Sequence, residues 1–215
     1  VGSEMCIRDR LRTFPITKTI ERASSLLSFA CFTMLLLIGF FGPNDPQKNL
    51  LSLFIWTGWW VGAFVIQGLA IDIWRFVNPW SGLASITLSE STTVLKMPKH
   101  FGHWPSVGIF LIFQIFLLAD IAPNDPERLA TFAFGYWLFT FAGIVLFGRE
   151  AWLNRVECFT VLFHLIGSLR IFQTKDYCCF GLPGWSSIAS APLTTSRAIF
   201  CLMILISGSF DGLHE

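Results

Sequence analysis

The sequence predicts an all-α, polytopic integral membrane helical bundle, and three observations carry that expectation. Only 13% of the 215 residues are charged and 53% are hydrophobic, whereas a soluble domain carries about 25% charged residues. Residues 23–44, 49–71 and 129–148 each run without a charge, long enough to cross a hydrocarbon core of roughly 30 Å. The tetrapeptide Pro-Asn-Asp-Pro occurs at 43–46 and again at 123–126, each time between two apolar runs. The mean hydropathy of +0.61 agrees. So does an aromatic set of 23 Phe and nine Trp against two Tyr, since Trp belts and lipid-facing Phe suit a bilayer.

Four spanning helices are expected at about 24–42, 50–71, 105–122 and 129–147, and a fifth at about 193–210. Arg197 near the start of the fifth can snorkel to the interface. The repeated tetrapeptide supplies a stop, a cap and a start. Gly42 closes the first helix and Pro43 prevents its continuation. Asp45 is placed to cap the next helix, with Pro46 at the first helical position, where no N–H is needed. Ala122, Pro123, Asp125 and Pro126 offer the same parts, and Glu127 adds charge favourable to the helix dipole.

The likeness extends beyond the turns. Phe54 and Trp56 match Phe134 and Tyr136, Asp72-x-Trp74 matches Glu150-x-Trp152, Arg75 matches Arg155 and Trp80 matches Phe159, at offsets of 78 to 80 residues. The expectation is a tandem repeat of transmembrane helical hairpins, two spans per unit, both units in one orientation. Lys and Arg set the orientation. Arg12, Lys18 and Arg22 precede the first span; Arg75, Lys96 and Lys99 lie in the connection 72–104; Arg149 and Arg155 follow the fourth span. The turns hold only Lys48 and Arg128. The chain therefore reads as a multi-pass membrane protein, its N-terminus cytoplasmic and both turns facing outward. Residues 153–170 read as one interfacial or re-entrant helix with the polar stripe Glu157, Thr160, His164 and Ser168. Residues 176–192, rich in Gly, Pro and Ser, read as loop.

Residues 1–10, VGSEMCIRDR, resemble a translated adapter and are set apart, leaving 11–215 as a single transmembrane helical domain, expected to be a fragment of a longer protein. The six cysteines form no C-x-x-C pair. Cys31 and Cys201 read as small apolar residues; the neighbours Cys178 and Cys179 have nothing beside them that completes a metal site.

DIWRFVNPWSGL (72–83), FGREAWLNRVECFTVLF (147–163) and FDGLHE (210–215) together resemble the bacterial polytopic membrane proteins described as fenitrothion hydrolase-like, over roughly residues 50–215. The markers are Asn78-Pro79-Trp80, Glu157 with Phe159, and Asp211-Gly212. The chain departs from the family's Gly-Glu-Ala-Phe run, having Val156-Glu157-Cys158-Phe159. The resemblance implies a membrane protein with further spans and hydrolysis of an organophosphate triester.

The residues that could carry chemistry are few. An inner-face polar cluster is expected from Asp72, Arg75, Asn78, Glu150, Arg155 and Glu157, with Asp72 and Arg75 paired if their helix is continuous. Glu157 and His164, seven apart and about 10 Å along a helix axis, are too distant to share an ion from one regular helix. His100 and His103 read as a headgroup-level pair. A hydrolase would need an activated water, by a divalent metal on Asp120, Asp211 and His214. No Gly-x-Ser-x-Gly, His-Glu-x-x-His or phosphate-loop pattern occurs. Two functions follow as expectations: a membrane hydrolase of lipophilic esters, or a permease-like protein with a polar path at the repeat interface flanked by Gln67 and Gln114. The partners are lipid and a lipophilic small molecule. A net charge of +1 leaves no concentrated basic face for nucleic acid.

Overall fold

The first apolar run folds as helix α1 (Lys18–Phe41). It begins before residue 24 because Glu21 suits the positive end of the helix dipole and pairs with Arg75. The computed structural model describes residues 7–8, 18–87, 94–174, 178–180, 183–184, 187 and 192–211. At the end of α1, Gly42 N–H donates to the Ile38 carbonyl at 2.8 Å.

The first turn corrects one expectation. Asp45 caps only a single intervening turn, its carboxylate accepting from Gln47 N–H at 3.0 Å. The cap of helix α2 (Leu50–Leu69) is Asn49, whose side-chain oxygen accepts from Leu51 N–H at 2.9 Å. An amide does here what a carboxylate cannot. Asn49 Nδ2 also donates to the Ile38 and Pro43 carbonyls at 3.0 and 2.9 Å, tying the end of one helix to the start of the next. Over Phe54–Ala63, α2 widens into π-helical turns, a local unwinding that re-aims side chains. Trp59 and Trp60 project from this stretch into the aromatic core.

Beyond α2 come two short helices, α3 (Trp74–Val77) and α4 (Trp80–Thr87), with Asn78 between them. A 3₁₀ turn at Lys99–Phe101 leads into α5 (Trp104–Ala119). Then α6 (Pro126–Phe147) starts as expected, Asp125 accepting from Arg128 N–H at 3.0 Å. The two PNDP turns lie side by side, since the Ser52 hydroxyl donates to the Asn124 carbonyl at 3.1 Å. We term this the upper end of the bundle, and the end where α2 and α6 finish the lower end.

The single helix expected over 153–170 is instead two, α7 (Arg149–Arg155) and α8 (Cys158–Gly167), broken at Glu157. After Gly148 (φ 84°) the chain reverses. Trp152 packs on Phe147 and Phe139, and Glu157 then reaches Tyr136, so α7 climbs back along α6. From that tip α8 descends: Phe159 meets Trp59, Phe163 meets Phe64, and Gly167 meets Gln67. The earlier pair makes a similar path. Arg75 pairs with Glu21, the Val77 carbonyl accepts from Ser28, and Trp80 lies on Phe32. Val94 and Leu95 N–H then donate to Leu146 O near the lower end. Each broken pair therefore dips into the bundle and returns.

Helix α9 (Thr195–Asp211) packs along α5. The strands β1 (Ile7–Arg8), β2 (Phe172–Thr174) and β3 (Cys178–Phe180) pair antiparallel in the order β1-β3-β2, Ile7 opposite Phe180. Part of the stretch read as loop and part of the set-apart decapeptide thus pair as strand.

Among the described residues three helices, Thr19–Phe41, Leu50–Leu69 and Pro126–Phe147, are long and apolar enough to cross a membrane. The third expected span falls short because the chain turns extended at Asp120 (ψ 137°). Large apolar side chains such as Leu27, Met34, Phe41, Ile112 and Leu205 are exposed, while Asn49, Gln67, Thr140, Glu157 and Thr160 are buried.

Candidate functional site

Where the two broken helices meet, polar side chains gather inside an aromatic shell. Glu157 is 1% exposed. As the N-cap of α8 it accepts from Phe159 N–H at 2.9 Å and Thr160 N–H at 2.6 Å. Its Oε1 also accepts from the Tyr136 hydroxyl. That hydroxyl lies 3.4 Å from Cys158 Sγ, either atom able to donate. Every contact to the carboxylate is thus a hydrogen-bond donor, a set that suits an anion.

Thr160 links this tip to the other. Its hydroxyl oxygen accepts from Trp74 Nε1 at 3.0 Å and from Asn78 Nδ2 at 3.4 Å. Asn78 in turn accepts from Trp80 N–H at 2.9 Å, and its carbonyl accepts from Ser25 at 2.9 Å. Tyr136 sits edge-on to both Trp80 and Phe159, at 5.3 and 5.2 Å between ring centroids. Phe113 and Trp59 close over Phe159. In this dry surrounding each polar bond is stronger than in water and each broken one costs more.

Below the tips lies a second polar group. Gln67, fully buried, donates to Asp72 at 3.0 Å and to the Phe163 carbonyl at 2.9 Å, and accepts from Trp74 N–H at 3.1 Å. Asp72 also pairs with Arg170 at 3.4 Å.

The expected inner-face cluster is therefore divided. Asn78 and Glu157 come together through Thr160. Asp72 does not pair with Arg75, because α3 starts only at Trp74 and Arg75 turns to Glu21. Glu150 is exposed on α7, and Arg155 is the last residue of α7. His164 is exposed on the flank of α8, two turns below the carboxylate. Gln114 is buried with its Nε2 unpartnered among the described residues.

On the upper face Asp120 is engaged by Arg128 at 2.8 Å and by Ala122 N–H at 2.9 Å. Chiefly the Ala122 N–H, and then Arg128, hold its pKa below the usual carboxylate value, with partial desolvation opposing. Asp120, Asp125, Glu127 and Arg128 line an open depression of about 630 Å³ with Phe116 and Phe132. The proposed partners of Asp120 in a metal site, the Asp211 side chain and His214, lie outside the described residues, as do the side chains of Cys178 and Cys179. Among the described residues no group of three His, Cys, Asp or Glu could hold a metal.

Sequence reasoning named Glu157 but missed its phenol partner. One signal was available: Tyr136 is one of only two tyrosines among 23 phenylalanines, and a phenol inside an apolar helix needs a partner.

No family model, curated protein or solved structure matches the chain.

Proposed function

We propose that the chain is a permease-like inner-membrane protein whose path runs between two tandem units, with Glu157 as the group that takes up and releases a proton. Each unit comprises a spanning hairpin followed by a broken helix pair whose tip enters the bilayer. The N-terminus and the lower end face the cytoplasm, and both PNDP turns face outward.

The observation that carries this reading is the buried Glu157 at the junction of the two tips. A charged group at mid-membrane depth costs about 2.5–3.5 kcal/mol on insertion scales, and such residues mark ion or substrate pathways. Tyr136 makes both protonation states of Glu157 satisfiable. When the carboxylate is charged, the phenol donates to it. When it is protonated, the phenol oxygen accepts from it and the phenol proton turns to Cys158 Sγ, 3.4 Å away. A proton therefore comes and goes without leaving a buried polar atom unpaired. The tandem relation is supported by the caps at the two tips. Asn78 has φ −68° and ψ 109°, and Glu157 has φ −67° and ψ 111°. They lie 79 residues apart in the register of the other matched positions.

The test is proton flux. The chain reconstituted in vesicles with an internal pH dye, under an imposed potential, is expected to acidify the lumen faster than empty vesicles, and Glu157→Gln to abolish the difference. Equal rates for wild type and empty vesicles, or for wild type and variant, would remove the reading. Turnover of an organophosphate triester by the purified chain, unaffected by Glu157→Gln, would favour hydrolysis in its place.

A further inference from the structure

We infer that α2 is a two-state helix: its π-helical middle is held underwound by a clamp at Gln67, and release of the clamp lets it rewind as α-helix, turning the lower part of α2 and lifting Trp59 off α8. The switch stands whatever part Glu157 plays.

Both ends of α2 are pinned. At the upper end Asn49 caps the helix and ties it to the end of α1, and the Ser52 hydroxyl donates to the Asn124 carbonyl. Leu51, 1% exposed, packs so closely on Gly39 of α1 that a Cβ there would overlap it. At the lower end Gln67 makes three hydrogen bonds. Its Nε2 donates to Asp72 Oδ1 and to the Phe163 carbonyl of α8, and its Oε1 accepts from Trp74 N–H. Gly167 leaves room for that amide, since a Cβ there would stand 2.8 Å from Gln67 Nε2, and Gly68 lies against Ile166. Arg170 completes the clamp, pairing with Asp72 and donating from Nε to the Gly167 carbonyl at 2.7 Å. Between the two pins the ten residues Phe54–Ala63 are exposed or half-buried.

The two pins account for the winding. At 3.6 residues per turn, positions 51 and 67 of an unbroken α-helix stand about 160° apart around the axis, so Leu51 and Gln67 would face nearly opposite ways. A π turn, closed by i→i+5 bonds, takes up nearly one residue more than an α turn, and ten such residues wind roughly half a turn less. The π stretch thus brings both residues to nearly one side, where Leu51 meets α1 and Gln67 meets α8. Elsewhere π turns occur mostly as single-turn bulges. A run of ten residues persists only while its surroundings over-determine it.

Release of Gln67 removes one of the two constraints. The middle of α2 then regains i→i+4 bonds, and the residues below it turn by about half a turn relative to Leu51. Val65 and Leu69, now 52% and 50% exposed, turn towards the bundle. Trp59, edge-on to Phe159 at 4.8 Å and to Phe163 at 5.7 Å, shares part of the rotation and uncovers the flank of α8. The Asp72 side chain is 34% exposed, so the clamp is reachable from outside the bundle. Two windings of one segment, each with its own packing, make a bistable element.

The experiment uses the full chain in neutral detergent, without other reactive cysteines, with a nitroxide on Val65→Cys or on Leu69→Cys. Collision with dissolved oxygen reads whether each label faces the detergent or the bundle. Both labels are expected to be accessible in the otherwise unaltered chain and to lose that accessibility when Gln67→Leu is added. Asp72→Asn, which removes one arm of the clamp, serves if Gln67→Leu does not fold, and is expected to give a smaller loss in the same direction. Deleting Thr57 and Gly58 takes up the half turn in advance, so that an all-α helix keeps Leu51 and Gln67 on nearly one side. In that background both labels are expected to stay accessible and to be unmoved by Gln67→Leu. Labels equally accessible with and without the clamp in the folded full-length chain, or labels buried by the deletion alone, would overturn the proposal.

Discussion

Gly143 on α6 lies directly beneath the indole of Trp152 on α7, so close that a Cβ built on the glycine would overlap the ring. This contact lets α7 fold back along α6, with Trp152 also packed on Phe139 and Phe147. Close approach of two helices through a small residue is the usual device of membrane bundles. Gly143→Leu is expected to lower stability by about 1–3 kcal/mol, the range for overpacking, read by thermal denaturation in detergent. Trp152→Ala in the same chain is expected to restore part of that loss. A Leu variant as stable as wild type would show that α7 does not pack there.

At the tip above, Glu157 has two separable jobs. As a cap it satisfies Phe159 and Thr160 N–H, and as a hydrogen-bond acceptor it holds the Tyr136 hydroxyl. Glu157→Ala removes both. The expected loss is about 2–4 kcal/mol, combining a lost cap with an unpaired buried hydroxyl. Glu157→Gln keeps an oxygen acceptor and is expected to cost about 1 kcal/mol. Tyr136→Phe is the control. If the junction is as described, the Glu157→Ala loss shrinks when measured in the Tyr136→Phe background, whereas additive effects would mean that the two side chains do not interact.

The sequence made the long elements legible and the tips obscure, for physical reasons. A charge-free run of about 20 residues has few alternatives to a helix in oil, so α2 and α6 emerged close to their expected bounds and α1 did so at its end, though it starts six residues early. The second PNDP turn was read correctly because Asp125 and Pro126 sit directly against the apolar run. The first was misassigned because Asn49, three residues beyond Pro46, offers both a donor and an acceptor and displaces Asp45. The break at Glu157 was hidden because its flanks, VEC and FTVLF, carry neither Gly nor Pro. The other break, at Asn78 before Pro79, did carry a signal, since a residue preceding proline is driven out of the helical region. The division of the inner-face cluster was not legible at all, because Arg75 chooses Glu21 across 54 residues of sequence.

Asp120 should report on pH. Its folded pKa lies below the ordinary value, held there first by Ala122 N–H and then by Arg128. A depressed carboxylate contributes stability that is complete above the unfolded pKa of about 3.9 and is lost as pH falls through the lower folded value. The melting temperature of wild type minus that of Asp120→Asn is therefore expected to be positive and flat at neutral pH and to close only in the acid range below the ordinary Asp pKa. Because the pair with Arg128 is exposed, the difference should also shrink in high salt, though the share from Ala122 N–H should persist. A difference that closes near pH 6 would assign the effect to another group.

Orientation gives the last prediction. The upper turns hold Lys48 and Arg128, while Arg22, Arg75, Lys96 and Arg149 lie towards the other end. Lys and Arg near span ends are retained on the cytoplasmic side, so the proposed topology puts the upper turns outward. The three long apolar helices alone leave the topology open, since α5 and α9 are shorter. The side-by-side PNDP turns restrict it: Ser52 holds the Asn124 carbonyl, so both turns share a face whatever the depth of α5. A cysteine at Lys48 and one at Glu127, both exposed, are expected to react with a membrane-impermeant thiol reagent added outside intact cells. One at Lys96, also exposed, is expected to react only after the membrane is opened. Labelling of Lys96 alone from outside would invert the orientation. Opposite behaviour of Lys48 and Glu127 would break the pairing of the turns and, with it, the proposed tandem arrangement.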